Sequence, residues 1–146
     1  MIELIKNKFP EAVQDTLEFR GETTLVIKPE ALIDVATFLR DEPSLGFDLL
    51  SDVSATDYYP DRPRFALNYH LYALENALSL RVKIWLDGET PSIVSITGVY
   101  PGANWHERET HDFFGIRFLG HPNLTPLLLP EDADYHPLRK DFAGAA

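Results

Sequence analysis

Three acids and two histidines crowd one short stretch of this chain: His106, Glu107, Glu109, His111 and Asp112. These residue types hold metal ions and move protons. A zinc-hydrolase helix needs two histidines four residues apart, so that both reach one ion. His106 and His111 are five apart, which on a helix turns them about 140° from each other. Glu107 and Glu109 have the chemistry of a general acid and base, but they leave a helix on different sides. Pairing of Arg108 with Asp112 and of Glu107 with His111, each four residues apart, accounts for the same charges as a solvated or partner-facing helix. No serine or threonine sits in a nucleophile elbow. Gly98, Gly102, Gly115 and Gly120 spell neither a phosphate loop nor a dinucleotide fingerprint. No catalytic, cofactor-binding or metal site is expected on this chain.

A second unusual stretch follows. It reads Gly120-His121-Pro122-Asn123-Leu124 and, further on, His136-Pro137-Leu138-Arg139-Lys140-Asp141-Phe142. Pro122, Pro126, Pro130 and Pro137 forbid regular structure there. Leu124, Leu127, Leu128 and Leu129 are nonetheless apolar. Either they fold back onto their own core, or the segment is laid along another protein as an extended strip. In the second case Arg139, Lys140 and Asp141 would pair with charges on that partner.

The elements that must position these residues are easier to read. Residues 1–9 suit a short helix with Ile2, Ile5 and Phe9 on one side, stopped by Pro10. Residues 13–19 and 23–27 read as a hairpin turning at Gly21. Pro29 opens a helix whose buried stripe is Leu32, Val35, Ala36 and Leu39; Asp41-Glu42-Pro43 ends it. Residues 47–56 alternate Phe47, Leu49, Ser51, Val53 and Ala55 with polar neighbours and read as a strand, and residues 57–61 as a loop. A turn centred on Glu75-Asn76 would pair Leu71 with Leu80, Tyr69 with Val82, Leu67 with Ile84 and Phe65 with Leu86, so that every apolar residue meets another on one face. Residues 93–99 fit a strand or a helical turn. Residues 103–114 read as a helix capped by Gly115. The expected class is α+β: a two-layer domain with a mostly antiparallel or mixed sheet, helices on one face and an irregular C-terminal arm. Residues 1–119 form the α+β part and 120–146 the arm of the same single domain.

Composition narrows function. The 146 residues carry a formal net charge of −10. Phosphate backbones need a clustered basic surface, so nucleic acid is not an expected partner, and anionic lipid is disfavoured for the same reason. There is no cysteine, which removes disulfides, thiolate zinc and ordinary iron–sulfur ligation from this chain. Glu3, Lys6 and Lys8 interrupt the first apolar residues, so no signal-peptide core is expected. No apolar run has bilayer-spanning length; membrane contact is expected only through a partner.

The ordered run from Glu107-Arg108-Glu109 through Asp112 and Gly115-Ile116 to Gly120-His121-Pro122 has Pro137-Leu138-Arg139-Lys140-Asp141 behind it. Together these residues resemble the thirty-kilodalton subunit family of respiratory complex I, the C subunit of bacterial NADH-quinone oxidoreductase. The resemblance covers nearly the whole chain, with its specificity after Gly102. It implies a non-catalytic subunit of the peripheral arm of an NADH:quinone oxidoreductase that couples electron transfer to proton translocation. The subunit would lie peripherally on the cytoplasmic face of the cell membrane. Its partners would be the quinone-site subunit of the forty-nine-kilodalton type and the small iron–sulfur subunits. FMN and the clusters would sit on partner subunits and no cofactor on this one. By the same resemblance Glu107, Arg108, Glu109, Asp112, Gly115, His121, Pro122, Pro137, Leu138, Arg139, Lys140 and Asp141 would fix the arm and the contact between subunits. The family usually has basic residues where this chain has Thr125-Pro126. It commonly has a glycine or tryptophan where this chain has Asp132-Ala133-Asp134-Tyr135-His136. The corresponding subunit of a membrane-bound nickel–iron hydrogenase, an F420H2 dehydrogenase or the photosynthetic quinone-reducing complex is the alternative. A free-standing hydrolase, or a domain binding a small ligand beside residues 103–114, is the remaining one; mutation of Glu107 or Asp112 would then abolish turnover by the isolated chain.

Overall fold

A computed structural model describes residues 1–125, 129 and 135–142. Helix α1 (Ile2–Lys8) leads into strands β1 (Val13–Phe19) and β2 (Glu22–Ile27). A single 3-10 turn, Pro29–Ala31, starts helix α2 (Leu32–Asp41). Strands β3 (Leu49–Asp57), β4 (Phe65–Ala73), β5 (Leu78–Leu86) and β6 (Ser92–Val94) precede helix α3 (Ala103–Phe114) and strand β7 (Arg117–Leu119). The main sheet has the order β1-β2-β5-β4-β3, with β2 and β5 parallel and the other neighbours antiparallel. The expected mixed sheet in an α+β fold is the one observed. β6 and β7 form a separate parallel pair.

The β4–β5 register is the one the alternation demands. Phe65 faces Leu86, Leu67 faces Ile84, Tyr69 faces Val82 and Leu71 faces Leu80. All eight are buried, because any slip by one residue would turn the whole row to the other face. The α2 stripe of Leu32, Val35, Ala36 and Leu39 closes over Tyr69, Leu71 and Val82. Ile5 of α1 joins the same core, and Phe9 meets Phe38 edge-on at 5.6 Å. The opposite sheet face carries a polar row across four strands. Glu22 meets Arg81 at 3.3 Å, Arg81 donates to Nε2 of His70 at 3.0 Å, and Asp52 lies 3.4 Å from the other nitrogen of His70.

β3 departs from expectation. It starts at Leu49, and the buried residues are Leu50, Val53 and Asp57 rather than the run Leu49, Ser51, Val53, Ala55. The register against β4 shifts between Leu50 and Asp52. Ser51 is the extra residue of a bulge, its hydroxyl donating to the His70 carbonyl at 3.0 Å, and the bulge resets the period of two. Asp57, expected in a loop, closes the strand on its inward face. Residues 93–99 are both of the expected alternatives in sequence: a short strand, then a helical turn in which Val99 and Tyr100 donate to the Ile96 carbonyl. β7 has no forerunner in the sequence pattern, because three residues are too few for a period to show. Of the arm leucines, Leu124 packs against the core and Leu129 is half-buried. Leu127 and Leu128 lie outside the described residues, as do Asp132, Ala133 and Asp134.

Candidate functional site: where the arm seats on the domain

Helix α3 brings the first group of motif residues together. Glu107, Thr110 and Asp112 are all buried, Glu107 and Asp112 on different sides of the helix. The solvated-helix reading is therefore corrected for Glu107 and Asp112; it holds for Glu109, which is exposed. Glu107 is fully buried, and both carboxylate oxygens are engaged. Oε1 accepts from the Ser95 hydroxyl at 2.6 Å and Oε2 from the Ile96 N–H at 2.9 Å. The carboxylate thus pins the chain leaving β6 to α3. Burial raises its pKa, against the pull of these two donors. The Tyr69 hydroxyl is buried without a partner among the described residues. Its pKa lies well above the ordinary value, through burial and then the nearby Glu107 charge.

His121 packs against this group with a side chain that is fully buried, its Nε2 4.0 Å from Glu107. The Asn123 N–H donates to its Nδ1 at 2.8 Å, and its Nε2 lies 3.2 Å from the Asn104 carbonyl. A ring that accepts at Nδ1 must carry its proton on Nε2, so these contacts select the neutral Nε2–H tautomer. His111, expected to pair with Glu107, instead places Nδ1 2.9 Å from the Ile116 carbonyl. Arg108 donates to the carbonyl and the hydroxyl of Thr125 at 3.2 and 3.3 Å and lies over the Trp105 ring. Pro122 is exposed.

The second group is the end of the arm, which closes the C-terminus of α3. The last carbonyls of a helix have no partner within it. Here the His136 ring bonds the Asp112 carbonyl at 3.0 Å, the Leu138 N–H donates to Phe113 at 3.1 Å, and the Arg139 Nε–H donates to Phe114 at 2.6 Å. Arg139 also brings a positive charge to the negative end of the helix dipole. Its other nitrogen donates to the Glu89 carbonyl at 2.6 Å, and its guanidinium lies over the Phe65 ring. Burial, and then the neighbouring Arg64 charge, lowers the Arg139 pKa. Gly115 makes this approach possible. Its φ is +76°, and a Cβ there would lie 2.6 Å from Arg139 Nη2 and 2.7 Å from the His136 ring.

An ion-pair cluster anchors Lys140 and Asp141. Arg64, buried at the start of β4, grips Asp57 with two bonds of 2.8 Å. It also donates to Asp141 at 2.8 Å and lies over the Tyr59 and Phe65 rings. Asp57 takes two further bonds, from the N–H of Tyr59 at 3.0 Å and of Lys140 at 2.8 Å. Burial pushes the Asp57 carboxyl up, but Arg64 and the two N–H groups outweigh it and hold the pKa at about 2. The Arg64 pKa is raised, chiefly by its bonds to Asp57. The Arg139 and Asp141 side chains are engaged within their own domain, and Lys140 is tied to it through its backbone N–H. Asp57 and Arg64 are site residues that sequence reasoning misses. The available signal is that Asp57 continues the inward row of Val53 and Ala55, so that an acid at a core position requires a buried cation.

This geometry sets a pH dependence. A carboxyl held at about 2 in the fold against an ordinary 3.8 stabilises the fold fully above pH 3.8 and progressively less as pH falls towards 2. The Asp57 contribution comes to ~2 kcal/mol. Urea unfolding between pH 5 and 2 should therefore show a steeper acid loss in the natural chain than in Asp57→Asn. Parallel pH profiles for the two would show that Asp57 is not held as described.

The arrangement anchors a segment: the Glu107, Arg139 and Asp141 side chains all bond within the domain. Among the described residues no group of three or more metal-ligating side chains converges, and no helix is long and apolar enough to cross a membrane.

Comparison with known proteins agrees with the motif. Residues 25–146 match the family described as respiratory-chain NADH dehydrogenase, 30 Kd subunit. The C subunit of NADH-quinone oxidoreductase from Roseiflexus sp. (strain RS-1) is 45% identical over 141 residues, covering 97% of this chain and 81% of that protein. A second C-type subunit of NADH-quinone oxidoreductase, from Rhizobium etli (strain CIAT 652), is 41% identical, covering 94% and 73%. Among solved structures, a trypsin-resistant fragment of Nqo5 superposes with a TM-score of 0.68 at 31% identity, covering 84% of this chain and 96% of the fragment. A chain of the membrane-bound sulfane sulfur reductase, an archaeal respiratory membrane complex, superposes with a TM-score of 0.81 at 25% identity, covering 97% and 82%. The fold, the motif at α3 and the arm, and these matches together make the chain a member of the respiratory-chain NADH dehydrogenase 30 Kd subunit family.

Proposed function

We propose that the chain is a non-catalytic subunit in the peripheral arm of a complex-I-type NADH:quinone oxidoreductase. In this reading it packs against a quinone-site subunit and small iron–sulfur subunits on the cytoplasmic face of the membrane. The flavin and the clusters reside on those partners. One observation supports the structural role above others. The motif side chains that could do chemistry are spent on internal contacts: Glu107 on Ser95 and Ile96, Arg139 on Phe114 and Glu89, Asp141 on Arg64. Such a site fixes a shape for others to dock on. A second reading, the equivalent subunit of a related respiratory complex with another electron donor, is favoured by the superposition on the sulfane sulfur reductase chain.

The test is purification of the tagged chain from its own cells in mild detergent, with mass spectrometry of what comes with it. Recovery of a quinone-site subunit and cluster proteins is expected, and a flavin-bearing NADH-oxidising subunit among them decides for the first reading. A reductase or hydrogenase subunit in its place decides for the second. The chain recovered alone from the soluble fraction removes both.

A further inference from the structure

β3 is an edge strand of the main sheet, paired only with β4 among the described residues. The Val53 carbonyl lies 3.4 Å from the Thr110 hydroxyl of α3, so it points away from β4. That hydroxyl has a closer acceptor, the His106 carbonyl at 2.9 Å, so the buried Val53 carbonyl keeps only a long contact and would gain from a better-placed donor. In an antiparallel pair both backbone groups of a residue point the same way and alternate along the strand. The N–H of Val53 and both backbone groups of Ala55 therefore share the unpaired edge.

A groove of about 230 Å³ runs between this edge and α3. Its apolar wall is Phe113, Phe114 and Leu138. Leu138 is 54% exposed and is held there by its N–H bond to the Phe113 carbonyl. The ionisable side chains lining the groove are both acids, Asp52 and Glu109. The Asp52 side chain is half exposed. An open strand edge invites pairing, and the walls state what would pair.

We propose that this groove receives an extended segment of a partner subunit as a sixth strand of the sheet, with an apolar side chain against Phe113, Phe114 and Leu138 and a lysine or arginine between Asp52 and Glu109. Strand addition supplies main-chain bonds to Val53 and Ala55, and the two acids select a cationic sequence. The proposal rests on the subunit reading above and specifies where one partner binds. It also gives the arm a purpose, because seating Leu138 completes the wall of the groove.

The experiment is amide hydrogen exchange on the full chain, alone and within the complex purified from its own cells. Val53 and Ala55 should exchange about tenfold or more slowly in the complex. Asp52→Lys with Glu109→Lys should lower recovery of partner subunits about tenfold, while circular dichroism and melting temperature stay those of the natural chain. A complex in which both amides exchange as fast as in the free chain overturns the groove and leaves the subunit reading intact. A chain that purifies alone overturns both. Protection that rises with the concentration of the isolated chain would assign the edge to a second copy and overturn the proposal.

Discussion

Arg64→Ala should lower the unfolding free energy by about 3–5 kcal/mol, the usual cost of removing one partner from a buried ion pair. Arg64 is 5% and Asp57 3% exposed, so the stranded carboxylate has no water to replace what it loses. Two of its four hydrogen bonds come from Arg64. Asp141 loses its anchor in the same step, the Tyr59 ring loses the cation above it, and Phe65 keeps only that of Arg139. Urea denaturation should show the loss, and trypsin should cut after Arg139 or Lys140 sooner. Arg64→Lys should recover little, because one ammonium group cannot make the two-pronged contact to Asp57 and reach Asp141 as well. A variant that matches the natural chain in both assays would mean that the cluster does not hold the arm.

The second large effect is expected at Gly115. Substitution by valine puts a β-branched residue at φ +76°, which costs about 1–3 kcal/mol in backbone strain alone. Its Cβ would also occupy the space of Arg139 and His136, so the α3 carbonyls of Asp112 and Phe114 would lose their partners. Each orphaned group adds about 1–3 kcal/mol, unless water reaches it. Asparagine separates the two causes. It tolerates the left-handed conformation but still carries a Cβ. If strain dominates, Gly115→Asn restores the melting temperature; the close contacts predict that it restores only part of it and that residues 136–142 remain open to protease. Full recovery by asparagine would place Arg139 away from Gly115.

Legibility follows the length of the pattern. β4 and β5 are nine residues each, long enough for alternation alone to fix their pairing. The α2 stripe is equally plain. β3 misleads because Ser51 is a bulge: a single inserted residue reverses the phase, and composition does not mark it. At the site the sequence exposes the right residues and hides their use. Glu107 and Asp112 stand among charged neighbours, and i,i+4 pairing explains such a run without burial. Glu107 is held by Ser95 and Ile96, just past β6, a three-residue strand that carries no period. Asp57 and Arg64 are hidden because each pairs across the β3–β4 loop and with residues about eighty positions away.

That separation gives the chain an order of completion during synthesis. Asp57 and Arg64 leave the ribosome early and can find each other at once, seven residues apart. Lys140 and Asp141 follow 83 and 77 residues later than their respective partners. At translation speeds of about 5–20 residues per second the final cap of α3, 24 and 25 residues further on, follows within about 1–5 s. A nascent or prematurely terminated polypeptide thus holds the Asp57–Arg64 pair without the bonds from Lys140 and to Asp141, and an α3 whose last carbonyls still lack Leu138 and Arg139.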